Sequence, residues 1–314
     1  MRLIRRLRRL LLQLTRTNSS KIVGEVWLAG LLAWTRSPGP LARRFADEIQ
    51  PDFAVFNDSD LPTIQVVMAS TRKDFDVLPA TIASCVQRVS NPIDSVHVVV
   101  PDDEIEDAIE LGTSAIVVGE NALLPLGLVE VVRRHHPPGR FGWILQQVIK
   151  LSFAWSSESA GVLVLDSDTI LSRPRAFLGR DRKQLLSLSH EYFERYEDHA
   201  AQVWGARRRH RGLSYVTHHQ LMQPWVLREM FPKLEDLANW VLKATTDHNS
   251  TLSEYHSYGR WLFENCPDLV SLTRWGNKGV SRHAFGSLDP KSLQREISAR
   301  FPHYFSVSLH SYLR

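Results

Sequence analysis

An aliphatic run, Gly161-Val162-Leu163-Val164-Leu165, ends in Asp166-Ser167-Asp168 near the middle of the chain. Such a segment, apolar at every position, predicts a strand covered on both faces, the kind found in parallel sheets flanked by helices. In an extended chain, residues two apart point the same way, so Asp166 and Asp168 present their carboxylates together where that strand surfaces. Oxygen donors of this kind suit magnesium or manganese, ions that keep open positions for water and substrate phosphates. Two other acid pairs have the same spacing, Asp58/Asp60 and Asp74/Asp76. These lie among polar residues or at a helix start, where Asp is expected to cap backbone N–H groups.

Around that turn, strand and helix patterns alternate. Ile64 to Met68 reads as a strand, Phe75 to Val89 as a helix and Val96 to Val100 as a second strand. A short acidic helix over Asp102 to Leu111, a strand at Ala115 to Val118 and a helix over Gly127 to Arg134 continue the series, and His135-His136-Pro137-Pro138-Gly139 reads as a loop. A helix from Trp143 to Trp155 then leads into the acidic strand. The βαβ order predicts an α/β fold with a mixed, mostly parallel sheet. Further on, Leu213 to Val216 reads as a strand and a helix is expected from near Leu221.

The net charge of +4 is local. Seven of the 38 Lys and Arg residues fall within Met1 to Lys21, a stretch without acids; the remaining 31 face 34 acids, a balance of −3. The body therefore lacks the electrostatic footprint of a nucleic-acid binder. In the arm, Leu3, Leu7, Leu10, Leu11 and Leu14 share one face of a helical period, with Arg2, Arg5, Arg6, Arg9 and Arg16 on the other. With the apolar stretch Ile22 to Trp34, which Glu25 interrupts, this predicts attachment of residues 1–34 to an anionic membrane surface without a span, the alternatives being a cleaved targeting peptide or a helix docked on the body. Two units are expected: a basic amphipathic arm over 1–50 and a catalytic domain over 51–314. Cys85 and Cys266 offer no disulfide framework or metal spacing and are expected to be structural.

The body resembles the nucleotide-sugar glycosyltransferases of the A-type fold. More narrowly, four motifs are similar to those of a bacterial glycosyltransferase-like family of unknown function: Gly142-Trp143-Ile144-Leu145-Gln146-Gln147-Val148-Ile149-Lys150-Leu151, Leu165-Asp166-Ser167-Asp168-Thr169, Thr217-His218-His219-Gln220-Leu221-Met222 and Ser253-Glu254-Tyr255. The likeness implies a GT-A-like, Rossmann-like sheet and transfer of a sugar from a nucleotide-diphosphate donor to a glycan or lipid-linked acceptor at the cytoplasmic face of the membrane. It also implies Mn2+ or Mg2+ held by Asp168 directly, with Asp166 as its partner and His310 as a third ligand. Glu254 stands where related inverting enzymes carry their acidic base, so inversion at the anomeric carbon is the expected outcome.

Further roles follow from residue chemistry. Lys150, with Gln146 one turn earlier, suits donor phosphate or sugar hydroxyls. His218, His219 and Gln220 suit acceptor contacts, with one histidine facing a cleft while the other packs. Asp247 and the Trp275-Gly276-Asn277-Lys278-Gly279 loop are weaker candidates. One rival is a haloacid-dehalogenase-like magnesium phosphatase, whose strand also ends in two acids. Its hydroxyl residue belongs two places after the second acid, where this chain has Ile170. The other rival is a non-catalytic, membrane-associated scaffold.

Overall fold

A computed structural model describes residues 60–125, 127–136, 138–189, 191–205, 214–244, 252–274, 276–286 and 288–313. The arm, Asp247 and Trp275 lie outside them. The first half runs β1 (Ile64–Ala69), α1 (Leu78–Arg88), β2 (Ile93–Val100), α2 (Ile105–Glu110), β3 (Ile116–Gly119), α3 (Glu120–Leu123), α4 (Leu128–His135), α5 (Pro138–Ser156) and β4 (Val162–Leu165). Then come β5 (Thr169–Leu171), β6 (Gln184–Leu188), α6 (Glu194–Trp204), β7 (His219–Met222), α7 (Pro224–Met230), α8 (Leu234–Ala244), α9 (Glu254–Asn265), β8 (Val270–Arg274), β9 (Asn277–Ser281), α10 (Pro290–Arg300) and β10 (Ser306–His310).

The main sheet has the order β3-β2-β1-β4-β7, parallel except for β7, which pairs antiparallel with β4. This is the mixed, mostly parallel sheet flanked by helices that the A-type resemblance implied. Side chains alternate across it. Val67, Val99, Val162, Val164 and Met222 face one core, shared with α5, α7 and α8, while Val66, Val98, Leu163, Leu165 and Leu221 face the other, shared with α1. A second sheet, β5-β10-β9, carries the third core with α10. The Asp166-Ser167-Asp168 turn joins β4 of the first sheet to β5 of the second, so it lies at the seam between them.

Two sequence expectations are corrected. Helix α5 begins at Pro138, inside the stretch read as a loop, because proline lacks only an N–H that a helix's first turn leaves unpaired anyway. The expected Leu213 to Val216 strand reduces, among the described residues, to a single bridge between Ser214 and Ser189. The strand that forms is β7, since the edge of β4 needs an antiparallel partner, and the following helix waits for Pro224. Among the described residues, no helix is long and apolar enough to cross a membrane.

Gly259 on α9 marks a close approach. A Cβ there would meet Tyr215 Cγ at 2.5 Å and its Cβ at 2.7 Å. Gly259→Ala gains about 1 kcal/mol of helix propensity and loses about 1–3 kcal/mol to overpacking against this buried ring. Net destabilisation is the expected result in urea unfolding, and a variant more stable than the parent would refute the tight contact.

Candidate functional site

Asp166 follows the last residue of β4, and its backbone N–H donates to the His218 carbonyl at 2.9 Å, so the turn after β4 and the entry to β7 are locked together. Its two carboxylate oxygens are both engaged. Oδ1 accepts from Lys150 Nζ at 2.5 Å and from the Tyr255 hydroxyl at 2.8 Å. Oδ2 lies 2.8 Å from His218 Nδ1. Lys150 also donates to Glu254 Oε1 at 2.9 Å, and the Gln147 Oε1 accepts the Glu254 backbone N–H at 3.0 Å. Two helices therefore converge behind the acidic turn: α5 supplies Lys150 and Gln147, and α9 supplies Glu254 and Tyr255.

The electrostatics follow from burial and pairing. Burial opposes the charge on Lys150, but Asp166 and Glu254 hold its ammonium well above the usual lysine range. Burial likewise opposes ionisation of Asp166, yet Lys150 and His218 hold its carboxyl far below the usual range. His218 is held at about 10, against its burial, by hydrogen bonds to Asp166 and Glu191. The result is a chain of alternating charge, Glu254–Lys150–Asp166–His218–Glu191, buried at its Glu254–Lys150 end and increasingly open toward Asp166, His218 and Glu191.

Asp168 stands apart from this chain. Its Oδ2 lies 3.4 Å from His310 Nδ1, and its backbone carbonyl accepts the Leu309 N–H at 2.8 Å, which fixes the end of β10 beside the turn. Gly279 leaves room for the imidazole, since a Cβ there would come within 3.2 Å of the ring. Asp168 and His310 offer an oxygen and a nitrogen donor close enough together that both could hold one divalent cation. Asp166 Oδ2, bonded to His218 alone, keeps acceptor capacity beyond that hydrogen bond. Among the described residues, no group of three or more His, Cys, Asp or Glu forms a ready-made metal centre.

The other expected residues divide. His218, in a left-handed conformation with φ of 59°, reaches the site, whereas His219 packs between Phe177 and Phe305. Burial, together with Arg175 and His218, pushes His219 down to about 3, a neutral core histidine. Gln220 points to the opposite face of β7 from His219 and is buried. His219 is thus the histidine of the pair that packs in the core, and Gln220 lies on the other face of the strand. Lys150 is buried, with its ammonium on Asp166, Glu254 and the Tyr255 hydroxyl. Gln146 is half-buried on α5, and it is Gln147, one residue on, that touches Glu254. Glu254 begins α9 behind a Ser253 cap and is buried against Lys150. Asp74 does not cap a helix. It accepts from Ser167 at 2.9 Å and pairs with Arg282 at 2.7 Å, two partners far away in sequence.

Comparison with solved structures finds similarity to the apo form of mouse xyloside xylosyltransferase 1, at 12% identity over 80% of this chain and 99% of that one, with a TM-score of 0.47. The galactosyltransferase LgtC, in complex with donor and acceptor sugar analogues, is similar at 14% identity over 79% and 87% of the two chains, TM-score 0.43. The bifunctional glycosyltransferase WbbM, in its apo form, is similar at 10% identity over 82% of this chain and 47% of that one, TM-score 0.44. No curated protein matches the chain. A family model described as "Family of unknown function (DUF6492)" matches residues 63–280. That match spans more than half of the 314 residues, and the chain belongs to the DUF6492 family.

Proposed function

We propose that this protein is a glycosyltransferase that moves a sugar from a nucleotide-diphosphate donor to a glycan or glycolipid acceptor, with Mn2+ or Mg2+ bound at the acidic turn. The observation that carries the reading is the Asp168–His310 pair, set at the seam of two sheets beside the end of β4. Open α/β sheets bind ligands outside the carboxyl ends of their strands, where this pair lies. Asp168 and His310 would hold the ion, with Asp166 contributing through its remaining lone pair. A cation there neutralises charge on the leaving diphosphate.

The protein's own residues have separable tasks in this reading. Asp166 is fixed in one orientation and kept ionised by Lys150, Tyr255 and His218, so the carboxylate meets its ligand without reorganising. Glu254 serves as the second counter-charge of Lys150, a positioning role in place of the expected base. With Glu254 turned inward, inversion loses the residue on which that expectation rested.

The reading is tested by thermal denaturation with Mn2+ and uridine, guanosine, cytidine or thymidine diphosphate sugars. One donor at about one hundred times its Kd should raise the melting point by on the order of 5–10 °C, a gain that Asp168→Asn or His310→Ala removes. A flat response to every donor rejects the proposal, and metal-dependent phosphate release from p-nitrophenyl phosphate would replace it with the phosphatase reading.

Peripheral attachment of residues 1–34 at the cytoplasmic face of the membrane belongs to the same proposal, since a lipid-linked acceptor lies there. Full-length protein should sediment with vesicles containing phosphatidylglycerol, more weakly at 0.5 M salt, and a chain lacking residues 1–34 should stay in the supernatant. Equal sedimentation of both chains would remove the arm from the account.

A further inference from the structure

Two residues outside every sequence motif frame the open side of the site. Tyr312, just past the end of β10, is 75% exposed, although its ring stacks on His310 with centroids 4.9 Å apart and planes inclined by 24°. One aromatic face is thus spent on the imidazole and the other is turned outward. Glu191 follows β6 and holds one carboxylate oxygen 3.5 Å from His218 Nε2, while its side chain remains 36% exposed. Its backbone is pinned on both sides: its N–H donates to Ser189 Oγ at 2.9 Å, and its carbonyl accepts the Ser214 hydroxyl at 2.6 Å. The carboxylate is therefore presented from a fixed position.

These residues belong to one place. Tyr312 rests on His310, whose Nδ1 faces Asp168, and His310 lies 5.5 Å, ring to ring, from His218, which Glu191 contacts. An outward aromatic face beside a rigid acceptor of hydrogen bonds matches the two-sided character of a pyranose. The sugar offers a C–H face to a ring and hydroxyls at its edge. A nucleotide phosphate is disfavoured at this spot, because Glu191 would repel it.

We propose that Tyr312 and Glu191 form the acceptor saccharide subsite, the free face of Tyr312 stacking on a pyranose ring and Glu191 accepting one of its hydroxyls. The proposal rests on the sugar-transfer reading for its biological meaning, but its test is separate. Saturation-transfer difference NMR is recorded on the full chain with Mn2+ and the methyl glycosides of glucose, galactose and mannose. At least one glycoside should receive saturation at its ring C–H protons. Tyr312→Ala should reduce it about five-fold or more, Tyr312→Phe should retain it, and Glu191→Gln should weaken it. Ligand-free melting points of the Tyr312 variants should match the parent, since this ring is mostly in solvent. Absence of saturation from all three glycosides, or equal saturation in Tyr312→Ala, overturns the subsite. Tyr312-dependent saturation without any nucleotide stabilisation would uphold the subsite and reject sugar transfer.

Discussion

Replacing Lys150 by methionine is expected to destabilise the protein by about 3–5 kcal/mol, the cost of leaving buried charge uncompensated. For a domain of this size the melting point should fall by roughly 6–20 °C. The ammonium is buried and sits between Asp166 at 2.5 Å and Glu254 at 2.9 Å, so its loss abandons two acids at once. Asp166 keeps Tyr255 and His218, whereas Glu254, whose bond to Gln147 is through its backbone N–H, has no second cation among the described residues. Glu254 is therefore where most of the penalty falls. Glu254→Gln alone should cost less, because Lys150 retains Asp166. In the Lys150→Met/Glu254→Gln double variant the loss should be smaller than the sum of the two singles, with a coupling of about 1–3 kcal/mol. Urea unfolding of the four proteins measures it. Additive losses, or a Lys150→Met variant within 1 kcal/mol of the parent, would show that the charge chain does not bear on stability.

The frame of this site was legible in the sequence because period-two and period-3.6 patterns report burial directly. The strand before Asp166, the helix carrying Lys150 and the βαβ order all appear as expected, since each buries a continuous apolar face. What the pattern does not carry is the direction of a polar side chain once burial is satisfied. Gln146 and Gln147 are adjacent amides on one helix, and only the turn of α5 against α9 selects Gln147 for Glu254. His218 and His219 were expected to split between cleft and core, but their assignment depends on a left-handed residue at 218, a conformation unusual for histidine that the tight entry to β7 imposes. Glu254 carried a positional expectation, and three-dimensional packing placed a buried lysine against it. Asp74, Glu191 and Arg282 act through partners far along the chain, at separations no local period encodes.

Arg282→Ala is the second large effect expected, and it follows from that long-range set. The Arg282 side chain, 11% exposed, donates through Nη2 to Asp74 Oδ1 at 2.7 Å and through Nη1 to Asp76 Oδ1 at 2.8 Å and the Lys73 carbonyl at 2.6 Å. Nε and Nη2 each also reach the Leu309 carbonyl at 3.2 Å, one residue before His310. Asp74 in turn accepts the Ser167 hydroxyl, inside the acidic turn. One guanidinium thus ties the segment after β1, the turn between the two acids and the end of β10 into a single unit. Removal leaves Asp74 buried with Lys73 as its remaining cation, 4.0 Å away and 70% exposed, too well solvated to replace the lost pair. A loss of about 3 kcal/mol is expected. Arg282→Lys should recover only part of it, because an ammonium cannot serve both acids and the Leu309 carbonyl with the geometry of a planar fork. The same variants separate scaffold from site. If Arg282 fixes the distance between Asp168 and His310, Arg282→Lys measured well below its melting point should weaken Mn2+ binding, read from the electron paramagnetic resonance signal of the free ion, while folding is retained. Unchanged Mn2+ affinity in folded Arg282→Lys would confine the residue to stability, because a looser β10 end must otherwise widen the pair that the ion has to span.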